Sequence, residues 1–476
     1  MKLKGQENFK EEEFNPLLKN FLRDGEIVDD CFPAKGVSSW YPYGYMIMEN
    51  ILSKAKNLLE KINFREITLS SFINGEEFLK ECRAIKDFSE RVYWSPVFIR
   101  DDCHVVKPTI EAQICSLISE NHQEFSVPLK VFTVREVGRY ETGKTFPIWK
   151  ERNVWPFFEL FSVHKKKNEL ADTIKQETLF MKNFFREIGL PVLIVSRPKI
   201  IKRLQEYSEK RIEAVSITPY NRVVVLANIY DLGDIFSRVY SLKGKDNKYL
   251  QMSTLGFSGR VLISAVSFLA DHEGLLVPPQ ISPFEVEFVL VQNKPAVINY
   301  AKEIKRELKN KKIKFFSQEE IISTYGERKR KAIKKGSILL IFIGEKEVAT
   351  NTVLIMNQLS DKEEKISKFG LAEKIEKLLV KIKRYYEKTS NLRLKSMIME
   401  AKTLVNAKKN IHDNRLSVSA FCERENCLID VEKSTAAEII GVPLNSHRRL
   451  ASKLCINCGK KAYQNVILGK KWKGEK

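Results

Sequence analysis

No GxxxxGKS/T stretch occurs in the chain of 476 residues, and no GxGxxG falls between a strand and a helix. A P-loop or a dinucleotide fold therefore has nothing to stand on, and a nucleotide would need another scaffold. HExxH and GxSxG are missing too, and only six histidines are present. His164, His272 and His447 read as core or surface residues rather than as the base of a hydrolase. The longest apolar run, Ile338 to Ile343, is far shorter than the ~20 residues that a membrane span needs. The first residues, MKLKGQENFKEEE, carry four acidic side chains and no apolar signal-peptide core. These absences predict a soluble, cytoplasmic chain with no membrane partner. Eight cysteines are too few for a disulfide framework at this length.

Positive charge is abundant. Lys and Arg number 81 against 60 Asp and Glu, a net charge of +21, so nucleic acid leads the expected partners. Residues 301–476 hold 40 of the cations and 21 of the anions, a net of +19, which assigns the polyanion-binding surface to the C-terminal third. Within it, RKRK (328–331) with Lys334 and Lys335 falls on a helix, as a phosphate contact or as a solvated face. A hydrophobic content of 43% excludes wholesale disorder, and the length allows roughly three domains at ~150 residues each.

Helical spacing of Met48, Ile51, Leu52, Ala55, Leu58, Leu59 and Ile62 predicts an amphipathic helix over 45–62. Strands are expected at 127–140, 192–196, 217–230 and 284–292, with helices at 169–190 and 259–272 between them. That uneven succession suits an antiparallel sheet flanked by helices. Pro278, Pro279 and Pro283 mark a boundary, after which strands and helices alternate as in a mostly parallel α/β domain. The expected order there is helix 296–311, strand 312–316, a helix beginning at Glu319, strands 337–344 and 347–356, and a helix from about Phe369 to Thr389.

Two motifs carry chemistry. Cys422 and Cys427 are followed, after 27 intervening residues, by Cys455 and Cys458. Two tight pairs of thiolates suit tetrahedral zinc in a closed, structural site, because no position is left for water or substrate. Farther back, Arg139 and Glu141 are one residue apart on an expected strand, which points a cation and an acceptor the same way. An arginine fork grips a phosphate and a carboxylate accepts from an amine, although the same pair also serves as a solvated ion pair.

Taken in order, the segments resemble one family, the class II aminoacyl-tRNA synthetases, and within it the prolyl-tRNA synthetases of archaeal and eukaryotic type. GEIVDD (25–30) and YPYGY (41–45) are similar to its N-terminal signature; FSERVYW (88–94) and KPTIE (107–111) to its amino-acid-binding loop. The stretch from GRYET (138–142) through Glu159 resembles motif 2, and GFSGR (256–260) with HEGLLVPP (272–279) resembles motif 3. The resemblance implies an α+β fold in three parts. These are a class II antiparallel-sheet catalytic domain over 1–283, an α/β anticodon-binding domain over 284–389 and a small C-terminal zinc-binding α/β domain over 390–476.

It also implies roles. Arg139 would bind the α-phosphate and the substrate carboxylate, and Glu141 the adenine side of ATP; Arg152 and Arg260 would reach the triphosphate, and Phe157 would stack on adenine. Arg139 and Arg260 would be the catalytic pair. Thr109 and Glu111 would hold the amino acid's nitrogen, with Glu159, Phe161, Tyr230 and Ser253 completing its pocket. ATP, Mg²⁺, an amino acid and tRNA would be the partners of a homodimer. The chain departs from the family at Lys107, Ile110, Leu160, Phe161, Tyr230 and 251–255, most of them pocket positions. It lacks motif 1's proline, since none occurs between Pro42 and Pro96, and it ends GKKWKGEK rather than at a tyrosine. The expected function is ATP-dependent joining of proline to tRNA. The alternatives are a paralogue that adenylates another amino or imino acid or uses another acceptor, and a silent nucleic-acid-binding subunit.

Overall fold

A computed structural model describes residues 9–29, 34–85, 87–95, 103–120, 126–141, 143–198, 207–318, 323–444 and 450–472. Asp30, Thr142, His447 and the last four residues lie outside them. β-branched and aromatic runs build β1 (Leu129–Gly138), β2 (Asn153–His164), β3 (Leu193–Ser196), β4 (Lys210–Ile217), β5 (Val223–Gly233) and β6 (Gln251–Ser258). They lie in the order β3, β4, β5, β6, β2, β1, every pairing antiparallel. The expected strand 217–230 is in fact a hairpin corner: the Thr218 hydroxyl accepts from the Arg222 N–H, and Asn221 turns the chain at φ 63°.

Because side chains alternate across a strand, β2 and β6 send Phe158, Leu160 and Leu255 to one side of the sheet, where all three are buried. There Phe257 stacks on Phe158 and on Phe184 of helix Lys167–Glu187, at 4.6 and 4.8 Å. Helix Pro42–Glu60 packs against that helix and opens with proline at its first turn, where no N–H is needed. Gly44 lies so close to the preceding loop that a Cβ would meet the Ile27 carbonyl at 2.1 Å. The other side is covered in part by helices Gly75–Cys82 and Glu111–Glu120, against which Phe161, Val163 and Met252 pack, and is open over the rest.

After the prolines come β7 (Val286–Leu290), β8 (Phe315–Ser317), β9 (Leu339–Ile343), β10 (Thr352–Asn357) and β11 (Lys362–Ser367), ordered β8, β7, β9, β10, β11. Only β7 with β8 and β7 with β9 are parallel, so the sheet is mixed rather than mostly parallel. The cause is local: the connections from β9 to β10 and from β10 to β11 are both too short for a crossover, so each pair is antiparallel. The first residues of the strand expected at 347–356 instead close helix Glu345–Ala349. The basic helix, Tyr325–Lys335, is largely a clamp. Lys331 and Lys335 pair with Glu26, Lys334 with Asp24 and Lys329 with Glu363, while Arg328 donates to the carbonyls of Leu290 and Val291.

Helix Leu371–Ser396 runs past the expected boundary at 389/390 into β12 (Ile398–Ala401), β13 (Leu416–Phe421), β14 (Glu438–Pro443) and β15 (Gln464–Gly469). These four strands do not form a separate sheet. Val442 pairs with Ser196 and Pro443 with Val195, so β14 extends the first sheet through β3 into eleven strands. Among the described residues no helix is long and apolar enough to cross a membrane.

Candidate active site and four-cysteine cluster

The open side of the first sheet is the floor of a cavity of about 760 Å³, lined by Phe157 and Glu159 of β2, Thr254 and Gly256 of β6, and Asn228 and Tyr230 of β5, among others. Arg139, Glu141, Thr109, Glu111 and Arg260 also line it. Arg139 and Glu141 stand just beyond the end of β1, in the loop rather than on the strand. The Arg139 guanidinium donates to the Pro108 carbonyl at 3.2 and 3.4 Å and lies 4.6 Å over the Phe157 ring. Arg260, the first residue of helix Arg260–Ser267, donates through Nε to the Trp149 carbonyl. Burial, reinforced by the Arg139 charge, pulls its pKa down to about 10. Trp472, the last described residue, packs 5.0 Å from Trp149 and 5.9 Å beneath the Arg260 guanidinium.

At the other end the Thr109 hydroxyl donates to Glu111 and lies 3.3 Å from a Glu81 oxygen. Glu81, Glu111 and Glu159 are all buried. Burial and the Glu111 charge push Glu81 well above the usual carboxylate range, against Thr109 and Arg139. Burial, Glu111 and Glu81 do the same to Glu159, opposed by Arg139 and Lys107. Three carboxyl groups thus crowd against two cations, and their mutual repulsion and burial favour the protonated form of Glu81 and Glu159.

Several expected residues lie elsewhere. Ser253 points to the helix side of the sheet, where it donates to Glu177 at 2.8 Å and meets Ser162 at 2.7 Å; its neighbour Thr254 faces the cavity, because one step along a strand changes the face. Phe161 is fully buried among Phe78, Ile110 and Tyr240 and does not line the cavity, and Leu160 and Leu255 belong to the core on the other side. Arg152 spends its guanidinium on the carbonyls of Glu141, at 3.0 and 3.2 Å, and Lys35, at 2.6 Å, and so braces the loop instead of facing the cavity. Sequence reasoning missed Glu81, which sits on helix Gly75–Cys82 and meets Thr109 only through folding. It also missed Arg211, whose alternation with Glu213 on β4 was the available signal.

The sulfur atoms of Cys422, Cys427, Cys455 and Cys458 lie within 4.8 Å of one another, with Cys422 and Cys458 at 3.6 Å. Such an all-thiol donor set, three of its members buried, fits a zinc ion with no open position.

An antiparallel sheet with a cavity-lining arginine after β1 and a second arginine opening the helix after β6 is the arrangement of a class II aminoacyl-tRNA synthetase. Family models place an anticodon binding domain at residues 286–378 and the C-terminal region of prolyl-tRNA synthetase at 404–472. A proline–tRNA ligase of Sulfurisphaera tokodaii is 30% identical over 475 residues, covering 97% of this chain and 98% of that one. One from Pyrococcus abyssi is 27% identical, covering 95% and 96%. The solved prolyl-tRNA synthetase of Giardia lamblia, in complex with prolyl-adenylate, superposes with a TM-score of 0.88 at 21% identity, covering 97% of this chain and 98% of that one. The chain belongs to the prolyl-tRNA synthetase family.

Proposed function

We propose that the chain is a proline–tRNA ligase, which activates proline with ATP and passes it to the 3′ end of tRNA. The observation that carries this is the place of Arg139, between a buried carboxylate cluster and the guanidinium of Arg260 in one cavity. The amino acid's ammonium meets Glu111, Thr109 and Glu159, and its carboxylate meets Arg139. A bond forms from that carboxylate to the α-phosphorus, the bond to the β-phosphate bridge breaks, and pyrophosphate leaves. The tRNA hydroxyl then attacks the activated carbonyl and AMP leaves. Arg139 and Arg260 offset the charge that builds up at phosphorus while the walls hold the reacting atoms in line. Glu141 receives the adenine amine and Phe157 the adenine face. Glu141 and Glu151 are the oxygen donors lining that end that would face Mg²⁺, which supplies charge to offset the triphosphate.

The four cysteines hold structural zinc, so metal analysis is expected to find about one zinc per chain, lost in Cys455→Ser. The three-part division at 283/284 and 389/390, with RNA read by the basic C-terminal third, belongs to the same proposal. So do a homodimer and a cytoplasmic location, which rest on family membership alone. A second reading, a paralogue for another amino acid, draws on Arg211 and Asn228, which put polar groups in the pocket wall. Pyrophosphate exchange against a panel of amino and imino acids separates the two. Exchange with proline supports the ligase; exchange with another amino acid and none with proline supports the paralogue. No exchange at all returns the silent subunit, which Arg139, Glu141 and Arg260 lining one cavity already count against.

A further inference from the structure

The seam between the four-cysteine module and the catalytic sheet contains a row of buried charge that leads to the cavity wall. Arg197 follows β3 directly, and its guanidinium reaches across the seam to the Ile439 carbonyl of β14 at 3.5 Å and back to Glu213 of β4 at 3.1 Å. The Arg197 N–H also donates to the Arg211 carbonyl at 3.0 Å, which sets the two arginines side by side. Glu213 has no solvent exposure, and its second oxygen lies 2.7 Å from Arg211. Arg211 in turn donates to Asn228 at 3.0 Å and rests 4.9 Å over the Tyr230 ring. Arg211, Asn228 and Tyr230 all line the cavity.

The module's side of the seam is built to the same close fit. A Cβ on Gly441 would meet Val195 at 2.8 Å, so only glycine lets β14 approach β3. Lys471 pairs with Glu438 at 2.8 Å, and burial together with the Arg197 charge holds its ammonium below the usual lysine range. Arg197, Arg211 and Lys471 therefore share two carboxylates, Glu213 and Glu438. Removing one member leaves a buried charge uncompensated.

We propose that Glu213 is a positioning residue for the amino-acid pocket: gripped by Arg197 at the seam, it holds Arg211 against Tyr230 and Asn228, so the seating of the four-cysteine module sets the pocket wall. The inference rests on the adenylation reading above. It explains why a module on the far edge of the sheet is joined to it strand to strand: the seam fixes Arg197, and Arg197 fixes the acid that seats the wall. A wall that moves alters affinity for the amino acid and leaves the ATP end unchanged.

The test is pyrophosphate exchange by the full chain, comparing the parent with Arg197→Met and with Arg197→Lys, which keeps the charge opposite Glu213 but not the two-armed fork. In Arg197→Met the KM for proline should rise about tenfold, the ordinary scale of coupling between sites. The KM for ATP and kcat should stay within about twofold, a split that general loosening would not produce. Arg197→Lys should show a smaller rise, about threefold, and answers the question if the methionine variant does not fold. A proline KM equal to the parent's in the folded variants, or KM values for proline and ATP that rise together, would overturn the inference and leave the ligase reading intact. A parent with no exchange for any amino acid would sink the ligase reading and this inference with it.

Discussion

The two ends of the cavity solve the burial of charge in opposite ways. At one end Glu81, Glu111 and Glu159 crowd together, opposed by Arg139 and Lys107, and Glu81 and Glu159 are driven well above the usual carboxylate range. At the other end the Arg260 guanidinium lies against the backbone carbonyl of Trp149. A carbonyl orients a cation without neutralising it, so Arg260 keeps its charge for an anion in the cavity. Carboxylates without enough cations wait for one. On the proposed function, the carboxylate end would receive the amino acid's ammonium and the arginine end the polyphosphate, with Arg139 between them.

The largest expected effect comes from removing that shared residue. Arg139→Ala should lower the exchange rate at least ~10²-fold, the scale for deleting a charge-stabilising donor, with the fold intact by circular dichroism. Exchange at the parent's rate would break the comparison at its centre. Next, Glu111→Gln should raise the KM for the amino acid on the order of tenfold to a hundredfold, the loss expected for a hydrogen bond to a charged group, and leave the KM for ATP unchanged. A rise in both would mean that the ends are not separate.

Arg152→Met should cost on the order of tenfold, as expected for losing a few hydrogen bonds that brace the loop without touching substrate. A loss as deep as that of Arg139→Ala would show instead that Arg152 turns to the triphosphate when ATP binds. The smallest effect is a control on the other side of the same sheet. Burial, against the Ser253 hydrogen bond, raises the Glu177 pKa from 4.5 to about 8. The folded state therefore keeps a proton that the unfolded state has released, and stability falls as pH rises from 4.5 towards 8, by up to about 1.4 kcal/mol per unit, then levels off. In Glu177→Gln that contribution should vanish from thermal melts while the exchange kinetics keep their values. A change in either KM would tie the helix side of the sheet to the cavity.

Expectation and structure parted at particular residues. Ser253 against Thr254 is the simplest case: motif order located the strand, but its register decides which neighbour faces the cavity, and register depends on partners far away in sequence. The hairpin at Thr218 to Arg222 did carry a local signal, Pro219 and Asn221 between two β-branched strands, which the single expected strand at 217–230 overran. The five-stranded sheet is mixed because short connections join β9 to β10 and β10 to β11, and the charged sequence of β11, Lys362–Ser367, carries no apolar alternation to mark it as a strand.

Sequence alone determined the family resemblance, from the order of short motifs along the chain, the antiparallel sheet, from the succession of strands and helices, and the cysteine tetrad, from its spacing, because each is written in linear order. Arg139, Glu141, Thr109, Glu111 and Arg260 were legible in the same way and share one cavity. Tertiary structure alone decided that Glu81 joins Thr109, that the basic helix clamps Asp24 and Glu26, and that β14 continues the catalytic sheet. Those contacts join residues far apart in the chain, and charge buried at such a contact is set by what surrounds it in space, which no window of sequence contains.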